Sequence, residues 1–161
     1  MGANLTNAKF LKINLNLTKS RPCKYVKTNL TGVDLTKAIL VNADFTDAVL
    51  EDATLIKANC TNAKMNNVNL IRGICDEIIL IGANLSNATC NHGKFPLANF
   101  TNATLIETNL RTANLRSAIF DHTIFQNTHM EHAFLGFARF IGTELKHVNL
   151  NEANWANVIL G

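Results

Sequence analysis
The apolar positions of this chain recur every five residues. In ADFTDAVLEDATL, residues 43–55, Phe45, Leu50 and Leu55 stand five apart, and so do Ala43, Ala48 and Ala53. Numbered on multiples of five, the chain has 32 pentad centres from Leu5 to Leu160, of which 17 are Leu and seven are Phe. Two residues before the centre the side chain is small, and 17 of the 18 Ala stand there. A helix would repeat its apolar face every 3.6 residues or so and a strand every second residue, so neither explains the pattern. Two apolar positions and three polar ones per pentad read as one short extended side plus one corner. A single pentad encloses nothing, so neighbouring pentads must stack around a shared axis.

A second period sets the number of sides. TNLTGVDLTKAIL (28–40), VNLIRGICDEIIL (68–80), TNLRTANLRSAIF (108–120) and VNLNEANWANVIL (148–160) align at offsets of 40. The chain divides into units 1–40, 41–80, 81–120 and 121–160 within a single domain, 1–161. If duplicated units stack face on face, 40 residues are a whole number of coils. Two sides enclose no core, and eight leave a hollow that Leu and Phe cannot fill at protein packing density. Four sides remain. The expectation is an all-β solenoid of eight coils of about 20 residues, roughly 38 Å long at the usual strand spacing.

The unbroken tandem pattern resembles the pentapeptide repeat family, A-(D/N)-L-x-x, over essentially the whole chain. The resemblance implies a right-handed quadrilateral parallel β-helix. Members often carry a capping helix at one end. Both ends here stay in register and show no such helix, which leads to the expectation of self-association, for example a homodimer through an uncapped end.

Composition narrows the function more by exclusion than by assignment. Charged residues make up 17% of the chain, and Asn, with 23 copies, supplies much of the polarity. MGANLT at the start fits a myristoylation pattern, but GANLS recurs at 82–86, so the motif is repeat chemistry. The eight Asn-x-Ser/Thr sequons arise from the repeat in the same way. No signal peptide or membrane-length apolar run is visible, although a trimmed leader would leave no trace. Cys60, Cys75 and Cys90 occupy centres and Cys23 a small inward slot, which reads as buried structural thiols in a cytoplasmic setting. His129 and His132 share a pentad around Glu131, without a third ligand. No nucleophile–base pair, phosphate loop or metal spacing is present, and the expectation is a non-enzyme without cofactor or metal.

Three surface features remain as candidates. On the side with centres 20, 40 and onward to 160, the flanking slots carry Ile39, Val41, Ile79, Ile81, Ile119, Ile141 and Ile159. This is read as a contiguous apolar face for a protein partner or a second copy, or else as a ladder of cross-strand Ile pairs that stabilises the stack. Phe134 and Phe137 form a smaller candidate end contact. Lys19, Arg21, Lys24 and Lys27 form a basic patch in the least regular stretch, with residues 1–37 at +6 and the remainder at −3. The leading expectation is a non-catalytic scaffold for protein–protein interaction. The alternative implied by the resemblance is a DNA-mimicking protein that binds gyrase-type topoisomerases and confers quinolone resistance. A net charge of +3 opposes it, because mimicry requires acidic groups in place of phosphates. The third is direct nucleic-acid binding through 19–27.

Overall fold
The computed structural model describes residues 5–8 and 23–161. Among them there is no helix; short extended segments and tight corners alternate every five residues. The residue before each centre pairs in parallel with the one 20 positions on, as in Asp44 with Lys64, Val49 with Asn69, Thr54 with Ile74 and Asn59 with Ile79. Four such series exist, and they define four faces. Face one carries centres Tyr25 to Leu145, face two Leu30 to Leu150, face three Leu35 to Trp155 and face four Leu40 to Leu160. Three bridges lengthen into pairs of named strands, six strands in all. β1 (Thr104–Ile106) pairs with β2 (Ile124–Gln126), β3 (Thr128–His129) with β5 (Val148–Asn149), and β4 (Arg139–Phe140) with β6 (Ile159–Leu160).

The pentad is a unit that places all five of its backbone N–H groups. Leu50 N–H donates to Asn69 and Asp52 N–H to Ile71, both on the next coil, at 2.6 and 3.0 Å. Thr54 N–H donates back to Val33 at 2.8 Å, and Ala53 N–H closes the corner on the Leu50 carbonyl at 3.0 Å. The fifth amide follows the centre. Where Asn or Asp precedes the centre, its side-chain oxygen accepts that amide. Asn59 Oδ1 accepts from Thr61 N–H at 3.1 Å and from the Thr61 hydroxyl at 2.6 Å. The same bond recurs at Asp44, Asn84 and Asn99. This is the physical content of the A-N-L-T motif: the orphan donor is capped locally.

The second corner residue is left-handed at all but one of the described corners, with φ from 51° at Asn127 to 65° at Gly32, Gly82 and Gly142. Asn, Asp and Gly tolerate this region best, and they fill many of the corners. His147 alone among the described second-corner residues is not left-handed.

Inside, the centres make vertical ladders. Phe100, Phe120 and Phe140, each 20 residues apart, stack with centroids 4.8 Å apart and planes within 12°. That spacing is the strand spacing itself. Tyr25 and Phe45 repeat the arrangement on face one. Cys60, Cys75 and Cys90 are free and fully buried, and burial pushes the Cys60 and Cys90 thiols up to about 12. Thr replaces Ala at several inward slots without leaving a polar group bare: Thr108, Thr123 and Thr128 donate their hydroxyls to the carbonyls of Leu85, Phe100 and Leu105 on the coil below.

The ladder departs from the 20-residue step at two places among the described residues. Leu5 and Asn7 donate their N–H groups to the Asn29 and Thr31 carbonyls, 24 residues on, where Leu50 reaches Asn69, 19 on. Leu5 therefore stacks against Leu30 on face two instead of Tyr25, and the first coil is five residues longer than the expected 20. At the other end the ladder opens. No bridge or backbone hydrogen bond joins Ile124–Asn127 on face one to Glu144–His147 on the next coil, although the other three faces of that coil stay paired. Two shallow clefts of about 270 and 350 Å³ follow this seam. The sequence register continues here, so periodicity alone predicts a closed ladder. Thr143, beside the seam, also differs from its counterpart: its hydroxyl donates to the Phe140 carbonyl of its own corner, at 3.0 Å, where Thr123 reaches the coil below.

Candidate interaction surfaces
All seven aliphatic residues of the candidate face stand on face four, but not side by side. Reading up the column before the centres, the order is Ile39, Asn59, Ile79, Asn99, Ile119, Arg139, Ile159, each paired with the next. The column after the centres reads Val41, Thr61, Ile81, Thr101, Asp121, Ile141. A residue type repeated every 40 positions falls on every second coil when a coil takes 20. Apolar bands about 9.6 Å apart are therefore separated by Asn/Thr bands. The contiguous face expected from the sequence is a banded one, and no Ile of the column before the centres pairs with another Ile.

The two kinds of band differ in their backbone chemistry. Asn59 and Asn99 cap the amide after their centre; Ile39 and Ile79 have no oxygen with which to do so. Each apolar band forgoes one local hydrogen bond. Its side chains stay accessible, with Ile39 at 41% and Ile159 at 52%. Farther up, Arg139 reaches down to Asp121, Nε to Oδ1 at 3.0 Å, and Ile141 N–H donates to the same oxygen at 3.3 Å. Burial acts to raise the Asp121 carboxyl, but Arg139 and the Ile141 amide outweigh it and hold it below its ordinary value.

Face three carries the second candidate. Phe134 and Phe137 are on one coil, 45% and 62% exposed, and Leu97 lies at the same corner two coils below Phe137, 58% exposed. Sequence reasoning passed over Leu97, whose signal is an aliphatic side chain at a corner that elsewhere holds polar residues or Gly. The Arg116 guanidinium lies 5.9 Å from the centroid of the Phe134 ring. Asn114, Arg116 and Phe134 line a depression of about 250 Å³.

The remaining sequence candidates separate. Lys24 and Lys27 are exposed, while Lys19 and Arg21 lie outside the described residues. Lys24 pairs in the ladder with Asp44, whose carboxyl is raised by burial and lowered more strongly by the Thr46 hydroxyl and amide and by Lys64 and Lys24. Part of the basic charge is thus met within the rod. His129 and His132 do not converge. His129 Nδ1 lies 3.3 Å from Glu131 Oε1, and His132 Nδ1 lies 3.2 Å from Glu152 Oε2. Glu131 Oε1 also accepts from Arg111 and Asn149, each at 2.7 Å, which makes a surface ladder across successive coils. Among the described residues, no group of three or more His, Cys, Asp or Glu is placed to hold a metal ion. No helix among them is long and apolar enough to cross a membrane.

A strand-only stack of 20-residue coils with an apolar axis defines a β-helical repeat solenoid. The chain belongs to the pentapeptide repeat family. The family model for pentapeptide repeats matches in 8 copies, over residues 28–70, 63–102, 78–116, 95–131 and 118–154. Among solved structures, the chain is similar to HetL, a pentapeptide repeat protein involved in heterocyst differentiation regulation from the cyanobacterium Nostoc sp. strain PCC 7120. The identity is 23%, the coverage 97% of this chain and 84% of that one, and the TM-score 0.57, a likeness of fold. It also aligns with full-length QnrB1, a plasmid-mediated fluoroquinolone resistance protein, at 13% identity over 100% of this chain and 85% of that one, with a TM-score of 0.46. No curated protein sequence matches.

Proposed function
We propose that this chain is a non-catalytic scaffold that presents the flat faces of a right-handed β-helix to a protein partner, with the apolar bands of face four as the principal contact. The observation that carries this reading is the substitution pattern of those bands. At Ile39/Val41 and Ile79/Ile81 the chain gives up the Asn–Thr cap that stabilises neighbouring coils, and it leaves Ile39 exposed and Val41, Ile79 and Ile81 only half-buried, where no Ile–Ile pair in the column before the centres rewards them. A coil optimised only for its own stability would keep Asn and Thr there. Banded apolar and polar rows also suit recognition, because a partner must match both rows in register.

The test is affinity purification from host lysate with wild type and an Ile79→Lys/Ile81→Lys variant, beside light scattering on both. A partner, or a dimer, that is retained by wild type and lost by the folded variant supports the reading. Equal behaviour of the two proteins overturns face four as the contact.

A further inference from the structure
Of the four Arg among the described residues, three are matched to carboxylates within the rod: Arg72 to Glu51 and Asp52, Arg111 to Glu131, and Arg139 to Asp121. Arg116 has no carboxylate partner, and its guanidinium lies toward the Phe134 ring. Lys94, one coil below on the same face, also has no carboxylate partner. The pentads of face three from residue 93 to 157 hold Lys94 and Arg116 and no acid at all. This half of face three is basic and free of acids, whereas the other described Arg residues each have a carboxylate at hand.

The same area holds apolar groups in costly positions. Among the described residues, Leu97 and Phe137 are the only large apolar residues at the left-handed corners, at φ 59° and 62°. A bulky side chain there strains the backbone, and both are more than half exposed, so neither burial nor backbone preference explains them. They share one vertical edge, with Ser117 between them, and Phe134 adds a third apolar group on the coil of Phe137. Exposed aromatics beside an Arg make up the composition of a binding hot spot.

We infer that this half of face three docks an acidic amphipathic segment of a partner protein, with apolar residues on Leu97, Phe134 and Phe137 and Asp or Glu on Arg116 and Lys94. Charge complementarity selects this occupant. A second copy would bring Arg116 toward like charge if it docked through the same patch, and a neutral apolar segment would leave Arg116 and Lys94 desolvated without a counter-charge. The inference rests on the scaffold reading and adds to it a second surface and a partner chemistry.

The test is selection of a displayed library of random twelve-residue peptides on the full chain, followed by titration of the enriched peptides. Wild type is compared with Arg116→Glu, Phe137→Ser and Ile79→Lys/Ile81→Lys, each checked for its thermal melt. The expected peptides combine Asp or Glu with aromatic or aliphatic residues. They bind Arg116→Glu and Phe137→Ser at least about tenfold more weakly, and the face-four variant equally well. Enriched peptides without acidic residues, or ones that bind Arg116→Glu as tightly, overturn the inference and leave the scaffold reading to its own purification test. No enrichment on wild type also overturns it. Peptides lost only on the face-four variant support the scaffold reading and sink this surface. A fall in oligomeric mass for Phe137→Ser in light scattering makes the occupant a second copy and overturns the acidic segment.

Discussion
At the scale of single residues, the centre positions tolerate apolar variety but not charge. Leu70 is fully buried on face two. Leu70→Asp places an unpaired carboxylate in the axis, and loss of the cooperative melt in circular dichroism is the expected outcome. Phe120 touches two stacked rings at once, so Phe120→Ala is expected to cost about 3–5 kcal/mol in denaturant unfolding, the range for a buried aromatic whose cavity cannot collapse. Corner residues obey the opposite logic. Phe137→Gly relieves a left-handed strain and is expected to stabilise the rod by roughly 1 kcal/mol, while it removes an exposed aromatic. A gain in stability with a loss of binding would mark Phe137 as a residue kept for contact.

At the scale of the pentad and its ladders, stability resides in local caps and in bonds offset by one coil. Restoring the cap on an apolar band with Ile79→Asn/Ile81→Thr is expected to raise stability by about 1 kcal/mol, the net worth of one added hydrogen bond, measured as a shift in denaturant midpoint. The surface ion pairs share the same offset: Lys57 with Glu77, Arg72 with Asp52, Arg111 with Glu131, and His132 with Glu152. Most are exposed and contribute little. Asp121 and Glu131 are the buried exceptions, and both carboxyls are held below their ordinary values of 3.8 and 4.5. For Glu131 burial pushes upward, while its own backbone amide, Arg111 and His129 pull further downward. A carboxyl lowered on folding stabilises the fold above its unfolded value, and that contribution is lost as pH falls through the folded one. Unfolding free energy is therefore expected to drop on acidification below the ordinary carboxylate range, and Asp121→Asn with Glu131→Gln should flatten that drop in an acid titration followed by circular dichroism. The open seam between Phe125 and Leu145 belongs to this scale too. The Phe125 and Asn127 amides should exchange with deuterium faster than those of Phe45 and Leu50, whose ladder bonds are intact.

At the scale of the whole molecule, the coil is the unit of length. Excision of residues 61–80 removes one full coil and leaves every remaining side chain on its own face. A folded rod about 4.8 Å shorter is the expected product, with β-type circular dichroism and a cooperative melt. Excision of five residues rotates everything beyond the cut by one face, splits the Phe100–Phe120–Phe140 ladder if made within it, and should cost far more stability.

The period of five, the inward Leu and Ala, the 20-residue coil and the burial of Cys60, Cys75 and Cys90 were legible in the sequence. They follow from a one-dimensional rule that each pentad obeys independently, and each coil contacts only its neighbours. The candidate surfaces were legible as lists of residues but not as arrangements. That Ile39, Ile79 and Ile119 share a face follows from counting; that Asn59 and Asn99 part them depends on which coil lies next to which. Arg116 as the described Arg without a carboxylate, the strain at Leu97 and Phe137, and the open seam beside Thr143 were decided by tertiary structure alone. Arg116 and the seam depend on distances between residues about 20 apart in the chain, and the strain on the backbone angle at each corner; periodicity encodes neither.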